Sequence, residues 1–219
     1  MSRDAYFQQE RPEVLPFLPE RFRTVLEIGC GSGTFSAQLS DKAECWGVEP
    51  ETAAAEAARE RMHRVLVGTY DGVEQELPRE YFDLVICNDV IEHMPDHDAF
   101  LKRVGAVMKP DGVLVASVPN IRQFNVLSEL LFKRDFRYRA SSILDCTHLR
   151  FFTEKSLRRC LLQHGYEIEK FGGINPMIFR LSLKRILMAL LTLISFSVYR
   201  DIWFAQFAFR ARRPAQVSS

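Results

Sequence analysis

A chain of 219 residues with 47% hydrophobic composition is long enough for one sizeable domain with an appendage. Its formal net charge of +1 excludes a global field that would favour nucleic acid, and no nucleic-acid partner is expected. The five cysteines, Cys30, Cys45, Cys87, Cys146 and Cys160, lack any C-x-x-C pair, which points to reduced thiols rather than a disulfide frame or a zinc site. The charged opening MSRDAYFQQERPE carries no secretory signal, so a cytoplasmic protein is expected.

Strands and helices alternate along the first half. Strand-like runs fall at Thr24–Ile28, Glu44–Val48, Val65–Val67, Phe82–Cys87 and Val113–Val118, with helical patterns between them at Gly33–Leu39, Ala53–Arg61 and His97–Met108. The strands are short and apolar on both faces, as in a parallel sheet covered by helices on both sides. KPDG, Lys109 to Gly112, reads as a turn delivering the chain into the fifth strand. Residues 121–150 break the alternation and read as a lid or substrate insertion. FTEKSLRRCLLQHG then predicts a helix with Thr153 as N-cap and Gly165 as C-terminal stop. YEIEKFGG and DIWFAQFAFRARR predict two further strands, giving an α/β, Rossmann-like sheet of seven strands. Between those two strands, residues 176–200 form an apolar appendage. Its uncharged core, 186–199, is 14 residues long, short of the roughly 20 needed to span a bilayer. It predicts a buried or partner-facing helix, with membrane-surface contact through 181–200 as the alternative.

The sharpest signal is VLEIGCGSGTF, Val25 to Phe35. Three alternating glycines after an apolar run predict a tight turn that lets backbone approach a nucleotide-like ligand. The spacing is G-x-G-x-G rather than the dinucleotide G-x-G-x-x-G, and an acid, Glu27, precedes it. A carboxylate there repels a pyrophosphate but suits an ammonium. S-adenosylmethionine carries an amino-acid tail, a sulfonium and no phosphate, so Glu27 favours it over NAD. Glu49, ending the second strand in GVEP, can accept hydrogen bonds from both ribose hydroxyls.

VLEIGCGSGTF, GVEP, YFDLVICNDVIEHMPD and MKPDGVLVASVPN, in that order, resemble the successive motifs of class I S-adenosylmethionine-dependent methyltransferases. The resemblance covers roughly 21–173. It implies a seven-stranded, mostly parallel sheet with the last strand antiparallel, and a single methyltransferase domain over 1–219. It also implies that Glu27, Gly29, Gly31 and Gly33 hold the methionine end and Glu49 the ribose. Asp71 would reach the adenine amino group and Asn88 would face the methionine moiety. Asp83 is expected to be structural.

On the acceptor side, Asp89, Glu92 and His93 follow the fourth strand in NDVIEHMPD. This D-x-x-E-H resembles the E-x-x-E-H metal motif of ubiquinone-pathway O-methyltransferases and of enzymes that methylate the ends of small RNAs. With His148, these residues are candidate ligands for a divalent metal. The competing reading places His93 near the cofactor and Glu92 in a structural hydrogen bond, with no metal. Asp145 to Thr153, D-x-T-H-L-R-F-F-T, resembles a block in bacterial polysaccharide-associated methyltransferases and offers His148, aided by Asp145, as general base for a sugar hydroxyl. Arg122, Lys133, Arg134, Arg137 and Arg139, set among Phe and Tyr, suit phosphates and sugar faces. The expectation is therefore O-methylation of a sugar hydroxyl in a bacterial envelope glycan or its precursor. The alternatives are a lipophilic phenol of quinone synthesis and, from another class, a non-catalytic cofactor-binding partner. A small-molecule or glycan substrate is expected, and a homodimer is compatible with the sequence.

Overall fold

The computed structural model describes residues 10–177, 186 and 199–213. Almost all of the apolar segment 186–199, and with it the question of membrane contact through 181–200, lies outside the described residues. Among the described residues no helix is long and apolar enough to cross a membrane.

Seven strands form one sheet: β1 Thr24–Ile28, β2 Glu44–Glu49, β3 Arg64–Val67, β4 Phe82–Asn88, β5 Met108–Pro119, β6 Glu167–Pro176 and β7 Phe204–Arg212. Their spatial order is β3-β2-β1-β4-β5-β7-β6. The first five run parallel, and β7 lies antiparallel between β5 and β6. The main helices are α1 Thr34–Ala37, α2 Thr52–Ala58, α3 Tyr70–Val73, α4 His97–Val107, α5 Phe124–Ser128 and α6 Glu154–Gln163.

Side chains alternate across a strand, so a strand buried on both faces feeds two cores. In β1, Leu26 and Ile28 join one apolar cluster and Val25 the other. In β4, Val85 and Cys87 oppose Leu84 and Ile86 in the same way. The first cluster packs against α4 and α6 through Phe100, Leu101, Val104, Leu157 and Leu161. The second packs against α1 and α2 through Phe35, Ala55 and Ala58. Asp83 is structural, as expected: it accepts hydrogen bonds from the backbone of Arg23 and Thr24 and from Lys109 Nζ.

KPDG departs from the expectation. It is not a turn ahead of the strand but part of β5, where Phe82 pairs with Met108 and Leu84 already pairs with Val113. The extra residues bulge outward, and Gly112 folds so closely that a Cβ would sit 2.9 Å from the Phe82 carbonyl oxygen. Thr153 and Gly165 fall as predicted. The Thr153 hydroxyl accepts from Ser156 N, Ser156 Oγ accepts from Thr153 N, and Gly165 adopts φ +75° just past the helix.

The strand order reverses between β1 and β4, and the crevice at such a reversal lies beyond the carboxyl ends of the strands. The glycine turn leaves β1 there, and Asn88–Asp89 leave β4 beside it.

Candidate active site

Two adjoining cavities open at this reversal, of about 550 Å3 and about 860 Å3. Arg11, Asp89, His93 and Thr147 line both and mark the boundary between them.

The first cavity is built on the glycine turn. Gly29 and Cys30 N–H donate to the Val48 carbonyl, and Gly31 N–H donates to Glu49 Oε2 at 2.9 Å. Glu49 Oε1 accepts from Glu51 N, so this carboxylate ties the turn to the end of β2 while lining the cavity. Burial pushes its pKa up. Glu27 is 3% exposed and accepts a 2.6 Å hydrogen bond from Ser36 Oγ. Asn88 lines the same cavity with both side-chain polar atoms buried and unpartnered. Buried polar groups are rarely left unsatisfied, so Asn88 is set for a polar ligand. Glu27, Glu49, Glu51 and Asp89 face one arginine, Arg11, across this space. That balance suits a cationic, phosphate-free ligand.

Two of the expected cofactor contacts lie elsewhere. Gly33 does not line the cavity. It has φ +74°, and an added Cβ would lie 3.2 Å from Ala58, so its job is to let the turn pack on α2. Asp71 also lies outside. It points out of α3 and pairs with Arg103, while Thr69 and Tyr70 form the cavity wall.

Burial pushes the Glu27 pKa up to about 7, against a partial lowering by Ser36. An acid whose folded pKa is raised stabilises the fold below its unfolded pKa of 4.5 and loses that contribution as pH rises through about 7. The loss amounts to about 3 kcal/mol in the ligand-free protein. A bound ammonium reverses the preference, so cofactor affinity is expected to rise with pH through neutrality and binding to release a proton. Calorimetry of S-adenosylhomocysteine binding in buffers of different ionisation enthalpy measures this. Glu27→Gln should abolish the proton release, and an unchanged release would remove Glu27 from the linkage.

The second cavity holds the acceptor-side candidates. His148 and Glu92 line it, and His93 sits at the boundary. One ligand atom from each of Glu92, His93 and His148 lies within 4.8 Å of the others. Glu92 is 0% exposed, and neither carboxylate oxygen has a partner. Burial, with repulsion from Asp89, raises its pKa well above the usual range. Each imidazole places Nδ1 against a backbone carbonyl, His93 on Thr147 at 3.2 Å and His148 on Ile143 at 3.0 Å. Nδ1–H donation to those carbonyls leaves each Nε2 with a free lone pair. Burial, with the neighbouring His148, lowers the His93 pKa. A neutral His93 can accept a proton or ligate a metal. An orphaned carboxylate facing two such imidazoles fits a divalent cation.

Asp89 is not part of that cluster. With φ +55°, it accepts from Arg11 at 2.7 Å, from Ser117 and from Gln206. Burial opposes its ionisation, but the Arg11 guanidinium and the two neutral donors outweigh it and hold its pKa below the usual range. Asp145 does not orient His148 either. Its carboxylate accepts from Thr147 N and Oγ1. The cations of 121–150 are partly engaged: Arg122 pairs with Asp201, and Lys133 and Arg139 pair with Glu129. Arg11, Ser36 and Gln206 were missed from sequence. Gln206 alone had a signal, as the one polar residue in FAQFAF.

The reversed final hairpin, the acidic glycine turn and the cavity at the β1/β4 reversal define a class I S-adenosylmethionine-dependent methyltransferase. The chain belongs to the methyltransferase domain family, whose model matches residues 2–170. Among curated relatives, a ubiquinone biosynthesis O-methyltransferase of Bradyrhizobium diazoefficiens is 40% identical over 100 residues. That match spans 44% of this chain and 40% of the relative. One from Rhodopseudomonas palustris is 37% identical over the same length, again across 40% of the relative. The matched region thus spans about two fifths of these relatives. Among solved structures, a Thermotoga maritima methyltransferase described as a possible histamine N-methyltransferase aligns with TM-score 0.63 and 24% identity, covering 94% of this chain and 89% of its own. A Burkholderia thailandensis 1,6-didemethyltoxoflavin-N1-methyltransferase with bound S-adenosylhomocysteine aligns at 0.62 and 18%, covering 97% and 82%. At these identities the structural likeness carries the fold alone.

Proposed function

We propose that this methyltransferase acts on the hydroxyl of a lipophilic phenol, as in the formation of a quinone precursor. This reading replaces the sugar hydroxyl of an envelope glycan. The relatives named for ubiquinone biosynthesis support the phenol, and none of the matches described above is named for a glycan. The observation that carries the reading is the orphaned Glu92 carboxylate facing His93 and His148 where the two cavities meet.

The methyl donor occupies the first cavity, with its ammonium toward Glu27, its ribose toward Glu49 and its methionine segment beside Asn88. The acceptor enters from the second cavity. Methyl transfer is an in-line displacement, and the donor brings its own leaving group, so alignment at the boundary is most of the task. The acceptor hydroxyl must also lose a proton, and without a cation His148 or His93 takes it through a free Nε2; with one, that same lone pair is a ligand instead. Glu92, His93 and His148 would hold a divalent cation, which supplies Lewis-acid activation of a bound hydroxyl.

A tritium-transfer assay against prenylated phenol, glycan and RNA pools tests the acceptor. Label in the phenol pool is expected, and label confined to the glycan pool would restore the sugar reading. EDTA and Glu92→Gln are each expected to cost about 100-fold or more in turnover while leaving S-adenosylhomocysteine binding intact. Full activity after chelation would remove the metal and leave the imidazoles as sole acceptors of the proton.

A further inference from the structure

A second cluster of ligating side chains lies away from both cavities. His97 and Asp98 open α4, and Cys160 and His164 lie near the end of α6, four residues apart on one helical face. One ligand atom each from His97, Asp98 and Cys160 lies within 4.8 Å of the others. Asp98 Oδ1 is 3.5 Å from His97 Nε2 and 3.3 Å from His164 Nε2. Around a tetrahedral zinc with bonds of about 2.0–2.3 Å, neighbouring ligand atoms are separated by about 3.3–3.8 Å. The Asp98–His97 distance falls in that range, and Cys160 lies near enough to close a three-ligand set.

The surrounding contacts favour ligation. His164 Nδ1 faces the Cys160 carbonyl oxygen at 2.8 Å, and donation there leaves Nε2 turned toward Asp98 with its lone pair. Cys160 is 8% exposed, so its side chain joins the cluster from the protein interior. The Asp98 side chain is 59% exposed, which leaves an entry path from solvent.

We propose that His97, Asp98 and Cys160 form a zinc-binding site, with His164 set against Asp98, that joins the start of α4 to the end of α6. The absence of a C-x-x-C pair had argued against zinc. Here two short segments far apart in sequence supply the ligands, and only folding brings them together. α4 follows directly on the segment carrying Glu92 and His93, and α6 follows the loop carrying His148. An ion at this point ties together the two supports of the acceptor side. On binding, Cys160 gives up its thiol proton to solvent, so the ligand set becomes thiolate, carboxylate and imidazole. The inference does not depend on the acceptor.

Cobalt(II) is the probe, because a thiolate ligand gives a sulfur-to-cobalt charge-transfer band and the Glu92 cluster contains no sulfur. The full chain, stripped with EDTA and kept reduced with a phosphine, should develop this band on cobalt addition and lose it to equimolar zinc. Cys160→Ser should abolish the band, whereas Cys146→Ser and the double variant His93→Ala/His148→Ala should keep it. Asp98→Asn and His97→Gln, at partly exposed positions, should weaken zinc binding by at least about tenfold with an unchanged circular dichroism spectrum. Zinc should raise the melting temperature of the wild type but not of Cys160→Ser. No charge-transfer band in the wild type, a band surviving in Cys160→Ser, or wild-type zinc affinity in both Asp98→Asn and His97→Gln would each overturn the site. Should Cys160→Ser not fold, the last two variants decide.

Discussion

Alanine in place of His148 is expected to lower kcat by about 100- to 10,000-fold and to leave S-adenosylhomocysteine affinity unchanged. The asymmetry follows from location. His148 lines only the second cavity, whereas Glu27, Gly31, Glu49 and Asn88 line only the first. The ring is 9% exposed and bonded through Nδ1 to Ile143, so its loss also costs about 1 kcal/mol of local stability. A melting curve separates that effect from chemistry. If the imidazole itself takes the proton, added divalent cation should not restore the variant's rate. If it ligates a metal, the variant should instead need far more divalent cation for half-maximal rate. Unchanged kcat with a lowered melting temperature would reduce His148 to a support for the 143–148 loop.

Valine in place of Gly31 is expected to weaken cofactor binding by about 100-fold or more, the loss of roughly 3 kcal/mol of contacts and geometry. Gly31 holds φ +54°, a conformation that a β-branched residue adopts only under strain. Its N–H donates to Glu49, so shifting the backbone to relieve the strain also displaces the carboxylate proposed to hold the ribose. The remaining strands of the sheet do not pass through this position, and the variant should stay folded with a modestly lower melting temperature. Calorimetry with S-adenosylhomocysteine measures the affinity. Binding within a few-fold of wild type would show that the turn does not face the cofactor.

The first five strands were legible because burial on both faces writes short apolar runs, whereas the exposed edge strand β6 and its neighbour β7 were read from alternation. The reversal of β7 was legible only through family resemblance, since alternation carries no direction. KPDG misled because Pro and Gly mark a bulge as readily as a turn. At the site, spacing located the strand ends but not the rotation of the residues after them. Asp71 was expected at the cavity, yet α3 begins at Tyr70 and swings the next side chain outward to Arg103. Asp89 looked like a metal ligand beside Glu92. Its occupation by Arg11 and Gln206 depends on partners 78 and 117 positions away, which no local pattern encodes.

The same Asp89 carboxylate has a consequence for biosynthesis. Residues 11, 89, 117 and 206 meet on it, so its bonding spans nearly the whole described length of the polypeptide. A nascent chain still on the ribosome can lay down the first five strands but lacks Gln206 until β7 has emerged. Until then a buried negative charge at the centre of the cleft is short of a donor. Intermediates stalled before the last strand should therefore hold the Asp89 end of the cleft less firmly than chains in which β7 has paired with β5.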